Sequence, residues 1–175
     1  MARHNDVDTI KKMRIGVLSD THLSNPDPLL DHILEDLLTE TEMILHAGDI
    51  VGRRVLDRLE EVGAIAVCGN MDHYDILDRV PQIRIISAGG KRIGLIHGWG
   101  SKDGLAQRIL KKFDPDRPDL IVYGHSHEPF WGKVDGTHMF NPGSAGYNHS
   151  VGLRTVGILD VSENSMEGRF LSIGS

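Results

Sequence analysis

The chain has 175 residues, 39% of them hydrophobic and 25% charged, and a formal net charge of −6. This length suits one full domain and is short for two. The acidic balance argues against a dedicated nucleic-acid surface. No stretch approaches the roughly 18 apolar residues that a membrane span requires, so we expect a globular soluble protein that makes no use of a membrane.

The first twelve residues are polar and lack the apolar core of a signal peptide. They predict a flexible leader at 1–12, followed by a single domain at 13–175. The chain has one cysteine, Cys68, which excludes an internal disulfide and fits a reducing compartment. We therefore expect a cytoplasmic protein.

Strand and helix patterns alternate in the first half of the chain. In order, they predict a strand at 14–20, a helix within 25–40 capped by Asp27 or Asn25, a strand at 42–49, a helix at 53–63 and a strand at 64–70. Alternation of elements of this length is typical of βαβ units, whose strands form a parallel sheet.

Hairpin signals replace this alternation in the second half. In order, the sequence predicts two strands joined at Gly89 and Gly90, a helix at about 103–113, a strand at 119–124, two strands joined at an Asp-Gly turn, and two further strands, "TVGILDV" and "GRFLSIG". Parallel units followed by hairpins indicate a mixed α/β domain in which two packed sheets are flanked by helices.

Five of the apolar runs end in aspartate, asparagine or histidine. These residues are Asp20, His22, Asp49, Asn70, His97, His125 and His127. A single aspartate after a strand is most often a turn former or a helix cap, and a lone histidine there is more often structural than a ligand. That interpretation would have to hold independently at five strand ends. Because ligands of open α/β sheets bind outside the carboxyl ends of the strands, the set predicts one shared site.

The residue types in this set indicate a metal site. Imidazole, carboxylate and amide ligands suit Mn, Fe, Zn, Co or Ni, and the absence of cysteine ligands excludes a structural Cys-rich zinc site. Seven groups are more than one ion needs, and they suffice for two ions if one carboxylate bridges. Two ions about 3.5–4 Å apart form the clamp that many enzymes use on phosphate esters.

The order of these motifs resembles a known family. Asp20-x-His22, Gly48-Asp49, Gly69-Asn70, His97-Gly98 and Gly124-His125-Ser126-His127 look like the motifs of the calcineurin-like metallophosphoesterases. More narrowly, they are similar to the small single-domain bacterial and archaeal phosphodiesterases of that superfamily. The stretch "NPGS" at 141–144 is similar to a tail motif of the same branch.

This resemblance implies a fold, a ligand set and a reaction. The fold would be a four-layer α/β/β/α sandwich of two mixed sheets flanked by helices. One ion would be held by Asp20, His22, Asp49 and His127, and the other by Asp49, Asn70, His97 and His125, with Asp49 bridging. A metal-bridging hydroxide would attack phosphorus in line. The substrate would be a small phosphate ester, more readily a diester than a monoester. Two divalent ions, with Mn ahead of Ni, Fe, Zn or Co, and a homo-oligomer are further expectations.

One position departs from the pattern of larger relatives, in which a histidine follows the asparagine and is thought to protonate the leaving group. Here Met71 occupies that place, and a thioether cannot act as an acid. Asp72 and His73 are the nearest substitutes. We expect Asp72 to orient a ligand histidine instead, and His73 to lie at the rim of the pocket. Activated, strained or cyclic esters should then react better than esters of poor leaving groups.

Two other interpretations of the sequence stay open. The chain could be a catalytically silent binding scaffold of the same fold, as in a subunit of the retromer complex, or a mononuclear hydrolase of another bond. Trp99 and Tyr74 follow two of the motifs and could line a substrate pocket, although burial by packing is at least as good an interpretation of Trp99.

Overall fold

The computed structural model describes residues 12–146 and 152–174. Apart from residue 12, the predicted leader lies outside these ranges. The strands are β1 (Met13–Leu18), β2 (Met43–His46), β3 (Ile65–Ala66), β4 (Ile83–Ala88), β5 (Lys91–Ile96), β6 (Leu120–Val122), β7 (Phe130–Val134), β8 (Thr137–Asn141), β9 (Arg154–Val161) and β10 (Met166–Ile173). The helices are α1 (Pro28–His32), α2 (Arg53–Glu61), α3 (Tyr74–Leu77) and α4 (Leu105–Lys112).

The strands form two five-stranded sheets, and both sheets are mixed. The first has the order β10-β9-β1-β2-β3, with β1, β2 and β3 parallel and β9 antiparallel to both of its neighbours. The second has the order β4-β5-β6-β8-β7, with β5, β6 and β8 parallel and hairpins at both edges. The carboxyl ends of the parallel strands carry the motifs found in the sequence.

Three apolar layers separate four layers of secondary structure. Between the two sheets lie alternate residues of their strands, such as Ile15 and Val17 of β1 against Leu95 and Val122. Helices α1 to α3 pack on the outer face of the first sheet around Leu18, and α4 packs on the second sheet. This alternation follows from the two-residue period of a strand, which sends successive side chains to opposite faces. The predicted α/β/β/α sandwich is confirmed.

The element bounds differ from the sequence prediction at three places. The first predicted helix is α1, capped by the Asp27 carboxylate, followed by a π-helical segment at Ile33–Leu37. The third predicted strand pairs with β2 only over Ile65–Ala66, because the backbone N–H of Cys68 donates to Pro81 O instead. Helix α3 was not predicted, since four residues are too few to show helical periodicity.

The predicted turns are confirmed where the backbone needs glycine. Gly89 and Gly90 join β4 to β5 with φ of 56° and 77°, and Gly136 joins β7 to β8 with φ of 81°. This left-handed region is open to glycine at little steric cost. The two hairpins place β4 and β7 at the edges of the second sheet, so that β5 and β6 lie inside it and deliver histidines to the site.

Candidate metal centre

The predicted site residues follow strands whose carboxyl ends meet at one edge of the molecule. Asp20 and His22 follow β1, Asp49 follows β2, Asn70 follows β3, His97 follows β5, and His125 and His127 follow β6. Backbone hydrogen bonds join neighbouring segments, from Asp20 N to Gly48 O at 3.0 Å and from His22 N to Asp49 O at 3.1 Å. In the second sheet, Gly124 N donates to His97 O at 3.1 Å. The structure therefore brings the predicted residues of both sheets together.

Most of these residues have a left-handed backbone, which is unusual for residues other than glycine. They are Asp20, His22, Asp49, His125 and His127, with φ between 49° and 70°. A residue with a Cβ loses about 1 kcal/mol or more in this conformation. Such strain collects at functional sites, where the surrounding structure holds it in place. Here the left-handed backbone turns each side chain away from the direction of its strand and toward the centre of the site.

Three side chains form the first group of possible ligands. The Asp20 carboxylate is fully buried, and its Oδ1 lies 3.1 Å from His127 Nε2 and 3.7 Å from His22 Nε2. The two histidine nitrogens are 3.2 Å apart. Two ligand atoms bound to one ion at about 2.1 Å lie about 3–3.5 Å apart, so these three atoms have nearly the spacing of ligands to a common ion.

The second group surrounds Asp49. Its Oδ2 lies 3.2 Å from His97 Nε2 and 3.7 Å from His22 Nε2, so one oxygen stands between histidines of the two groups. Asn70 Oδ1 and His125 Nδ1 are 3.0 Å apart, and the rings of His97 and His125 meet edge to face with centroids 5.3 Å apart. His125 and His127, although two residues apart, therefore belong to different groups.

Hydrogen bonds behind the histidines determine which ring nitrogen faces the centre. His97 Nδ1 donates to Ala47 O at 2.8 Å, and His125 Nε2 donates to Gly100 O at 2.7 Å. In the neutral imidazole, the other nitrogen of each ring carries a lone pair. That nitrogen faces the Asp49 carboxylate in His97 and Asn70 Oδ1 in His125. With neutral rings both contacts bring two acceptors together, and either a metal ion or a proton between them removes the repulsion.

Two buried polar atoms at the centre lack a hydrogen bond in the described part of the chain. They are Asp20 Oδ1 and His97 Nε2. A buried polar atom without a partner loses about 1–3 kcal/mol, and both atoms point toward the other candidate ligands. The orphaned atoms and the facing acceptors fit a bound divalent cation, and the mixture of imidazole, carboxylate and amide donors suits a transition metal.

The negative charge of the two buried carboxylates, Asp20 and Asp49, also favours the binding of a cation. Burial would raise the pKa of Asp20, but the neighbouring imidazoles of His127 and His22 outweigh burial and hold it below its usual value. Burial likewise opposes ionisation of Asp49, yet the neighbouring His97 lowers its pKa. For His97 itself, burial lowers the pKa, and the two carboxylates more than offset this and raise it. Both carboxylates thus stay charged at neutral pH, and they attract positive charge.

Asp72 has a different role from the one expected. It does not orient a histidine: its Oδ1 accepts from Val51 N at 2.6 Å and its Oδ2 from Gly69 N at 2.7 Å. These two amides lie in the loops that carry Asp49 and Asn70, so Asp72 ties the two loops together. The pKa of Asp72 is raised, mainly by burial. His73 is exposed and is the N-cap residue of α3, where its side chain makes no capping hydrogen bond.

Residues that were not selected as candidates hold the site from behind. His46 is buried, its Nδ1 accepts from Gly48 N at 3.1 Å, and burial lowers its pKa to about 3, so it stays neutral. Asn141 of the "NPGS" stretch donates to Gly124 O at 2.9 Å and to Ser126 Oγ at 3.0 Å. Ser144 Oγ donates to Asp20 O at 2.9 Å. For Asn141 and Ser144 the only signal in the sequence was the motif itself, since their contacts span 15 or more residues.

Two pockets adjoin the centre, one beside each group of candidate ligands. The first, of about 430 Å³, is bounded by His22 and His127 and includes Arg154. The second, of about 300 Å³, is bounded by Asn70 and His97. Both volumes fall in or near the range of small-molecule sites, roughly 300–1,000 Å³. The arrangement can therefore hold a group at the candidate ligands and a substituent on either side.

Comparison with known proteins identifies the family. The calcineurin-like phosphoesterase superfamily domain matches residues 13–164. The chain belongs to this superfamily. The resemblance seen in the motifs is therefore confirmed at the level of the family.

Individual relatives agree with this assignment. The chain is 35% identical over 134 residues to a probable metallophosphoesterase of Methanothermobacter thermautotrophicus, covering 75% of this chain and 77% of that protein. It is 29% identical over 169 residues to a phosphodiesterase of Methanocaldococcus jannaschii, covering 86% and 95%. The crystal structure of a predicted phosphoesterase from Streptococcus pneumoniae superposes with a TM-score of 0.75 at 23% identity, covering 93% and 90% of the two chains. At that identity the superposition supports the fold alone.

Within residues 12–146 and 152–174, no helix is both long and apolar enough to cross a bilayer.

Proposed function

We propose that the protein is a phosphodiesterase that uses two divalent metal ions, with manganese as the first candidate. The chain belongs to the phosphoesterase superfamily. What we propose beyond that is the number of metal ions, the preference for diesters and the roles of individual residues. The observation that carries it is the convergence of possible ligands in two adjoining groups, Asp20, His22 and His127 in one and Asp20, Asp49 and His97 in the other, with ligand atoms within 4.8 Å of one another in each group.

In this proposal the residues divide between two ions. Asp20, His22 and His127, which lie together, would hold one ion. Asn70, His97 and His125 would hold the other. Asp49 would bridge, because its Oδ2 lies within 3.7 Å of His22 Nε2 and 3.2 Å of His97 Nε2. Bound ions would lower the pKa of water toward neutrality and offset charge on the phosphoryl oxygens.

The side chains around the ions have supporting tasks. Ala47 O and Gly100 O fix the tautomers of His97 and His125, so that each presents a lone pair inward. Asp72 keeps the loops of Asp49 and Asn70 at their separation. Met71 is exposed at the position where an acid would stand, and it can donate no proton from its side chain. The leaving group would therefore depart without a proton from this position.

A diester fits the surroundings better than a monoester. A monoester has one substituent on phosphorus, whereas a diester has two, and the centre has a pocket beside each group of ligands. The name of the Methanocaldococcus jannaschii relative, a phosphodiesterase, points the same way. The buried, free Cys68 agrees with the cytoplasmic location that we propose.

The decisive experiment is a reconstitution assay. Protein stripped with a chelator is loaded with Mn²⁺ or Ni²⁺ and given bis(p-nitrophenyl) phosphate or p-nitrophenyl phosphate. We expect metal-dependent hydrolysis of both, with the larger kcat/KM for the diester. If neither ester is hydrolysed in a metal-dependent way, the proposal is wrong. Two bound equivalents of metal without hydrolysis, together with a stable protein partner, would instead support the silent scaffold.

A further inference from the structure

The pocket on the Asn70 and His97 side has a composition that the metal chemistry does not require. Its lining includes Trp99, Leu77, Ile83, Ile96 and Lys112, and we call it the Trp99 pocket. Ligands to a metal need no indole beside them, and a bare phosphate would gain nothing from three aliphatic side chains. These residues therefore call for a separate explanation.

Two large apolar side chains of this pocket are exposed to solvent. Trp99 is 42% exposed and Leu77 is 41% exposed, although both lie beside a polar centre. Exposed indole surface costs free energy that contact with an apolar group would recover, at roughly 25 cal/mol per Å². Because the surface is concave and adjoins the candidate ligands, a substituent of the substrate is the group best placed to cover it.

The backbone that carries Trp99 is held in place. Arg108 of α4 donates to Trp99 O at 3.0 Å and to Asp103 O at 2.7 Å, and it also bonds Ser101 O. In the same segment, Gly100 O accepts from His125 Nε2 at 2.7 Å. Arg108 and His125 thus hold the backbone of the segment. A backbone held in this way keeps Trp99 beside the candidate ligands before any substrate binds, which lowers the entropy lost on binding.

The positive charge of Lys112 narrows the chemical class of ligand that the Trp99 pocket would bind. Lys112, at the end of α4, adds a positive charge to a lining that is otherwise apolar or amide in character, apart from the ligands themselves. An indole face favours planar aromatic rings, and an ammonium group favours an anion. A nucleotide combines both features in one substituent.

We propose that the Trp99 pocket binds a planar aromatic substituent of the phosphate ester, and that the substrate class is a phosphodiester containing a nucleotide. This proposal rests on the proposed function, since it names the substrate of the same site. The aromatic base would lie against the Trp99 indole, over the aliphatic side chains of Leu77 and Ile83, while the scissile phosphate lies at the centre. Lys112 would face a second phosphate of the same substituent.

The chain offers a fluorescence test that does not depend on activity. It has two tryptophans, and the Trp131→Phe variant leaves Trp99 as the sole reporter. Trp131 stacks on His138 within the second sheet and does not line the pocket. With Zn²⁺-loaded protein, adenosine 5′-monophosphate should change Trp99 emission in a saturable way, and ribose 5-phosphate, which lacks the base, should not. Equal effects from both compounds, or none from either, would contradict the proposal.

Calorimetry of variants completes the experiment. Wild type should bind adenosine 5′-monophosphate more tightly than ribose 5-phosphate, and Trp99→Ala should reduce this preference by about tenfold. Trp99→Phe, which keeps an aromatic ring, should restore most of it. The matched control is Tyr74→Ala, because Tyr74 is 86% exposed, belongs to α3 and does not line the pocket. An unchanged preference in Trp99→Ala, or an equal loss in Tyr74→Ala, overturns the proposal.

These measurements separate the two proposals. Binding of the nucleotide can be measured whether or not the protein hydrolyses any ester. Metal-dependent hydrolysis combined with no preference for the base would leave the proposed function standing and remove the nucleotide pocket. A preference for the base without any hydrolysis would support the nucleotide pocket and contradict the proposed phosphodiesterase function.

Discussion

The Asp49 carboxylate and the Gly69 backbone are in such close contact that a Cβ at Gly69 would lie 2.2 Å from Asp49 Oδ1 and 2.4 Å from Asp49 N. One of these atoms belongs to the backbone, so a change of rotamer cannot relieve the clash. The packing of two strand-end loops against each other thus places the carboxylate that we propose as the bridge.

Replacement of Gly69 by alanine should therefore disturb the metal centre. We expect Gly69→Ala to lower the free energy of unfolding by about 1–3 kcal/mol and to weaken metal binding, because the loops of Asp49 and Asn70 must move apart. Urea unfolding and metal titration measure the two effects. Gly174→Ala is the control, since its Cβ would meet nothing within 4 Å. If Gly69→Ala and Gly174→Ala have the same free energy of unfolding and the same metal affinity, the contact between Gly69 and Asp49 does not position the carboxylate.

Removal of the proposed bridge should affect both ions. Asp49→Ala deletes an oxygen that lies within 3.7 Å of His22 and 3.2 Å of His97, so we expect both metal equivalents to bind more weakly. The reconstituted activity should fall by more than about 100-fold. Metal titration by calorimetry and the diester assay measure these effects.

Asp75→Ala is the control for Asp49→Ala, because it removes the same charge from an exposed position of α3. Its metal binding and activity should match those of wild type. If Asp49→Ala loses only one equivalent and leaves the other at its original affinity, the carboxylate does not bridge. The mononuclear interpretation then gains support.

Away from the centre, Asp160 should make folding stability depend on pH. This buried carboxylate of β9 accepts from Arg14 Nε at 2.9 Å and from Arg169 Nη1 at 2.8 Å. The hydrogen bond from Arg14 is the main reason that its pKa falls to about 2. A carboxylate whose pKa is lowered by folding stabilises the protein above its unfolded pKa, near 4, and this contribution disappears as the pH falls toward 2.

The Asp160→Asn variant tests this dependence. At pH 7 it should lower the free energy of unfolding by about 1–2 kcal/mol, and the difference from wild type should shrink between about pH 4 and pH 2. Chemical unfolding at several pH values measures it. Glu167→Gln is the matched control, because Glu167 pairs with Asp160 across β9 and β10 but is exposed. A difference that stays constant down to pH 2.5 would contradict the assignment.

The sequence predicted the fold, and it predicted which residues follow the strands at the candidate site, because strand ends and glycines are local features. It could not predict the left-handed backbone of Asp20 or His127, which depends on contacts between loops from both sheets. Asp72 illustrates the same limit. Its carboxylate bonds the amides of Gly69 and Val51, and no periodicity reports a side chain that bonds to a backbone 21 residues away. The sequence likewise could not decide whether Trp99 lines a pocket or packs in the core, because an exposed and a buried tryptophan look alike in a sequence.

The side chain at position 71 should determine which esters react. Met71 is 55% exposed and offers no proton, so the rate should fall steeply as the pKa of the leaving alcohol rises. In Met71→His an imidazole would stand where larger relatives carry a histidine. We expect that variant to hydrolyse alkyl esters about 10–100-fold faster than wild type, with a much smaller gain for p-nitrophenyl esters. Plots of log kcat/KM against leaving-group pKa for a series of diesters give one slope for wild type and one for Met71→His.

Met71→Gln is the control for this comparison, because glutamine has nearly the same length and cannot act as an acid. It should reproduce the steep dependence of wild type. A shallow dependence in wild type would mean that another group protonates the leaving alcohol. His73 and Asp72 would then be the first residues to replace, since His73 is exposed at the N-cap of α3 and burial raises the pKa of Asp72. A steep wild-type slope that Met71→His flattens and Met71→Gln leaves unchanged would place the missing acid at this single position.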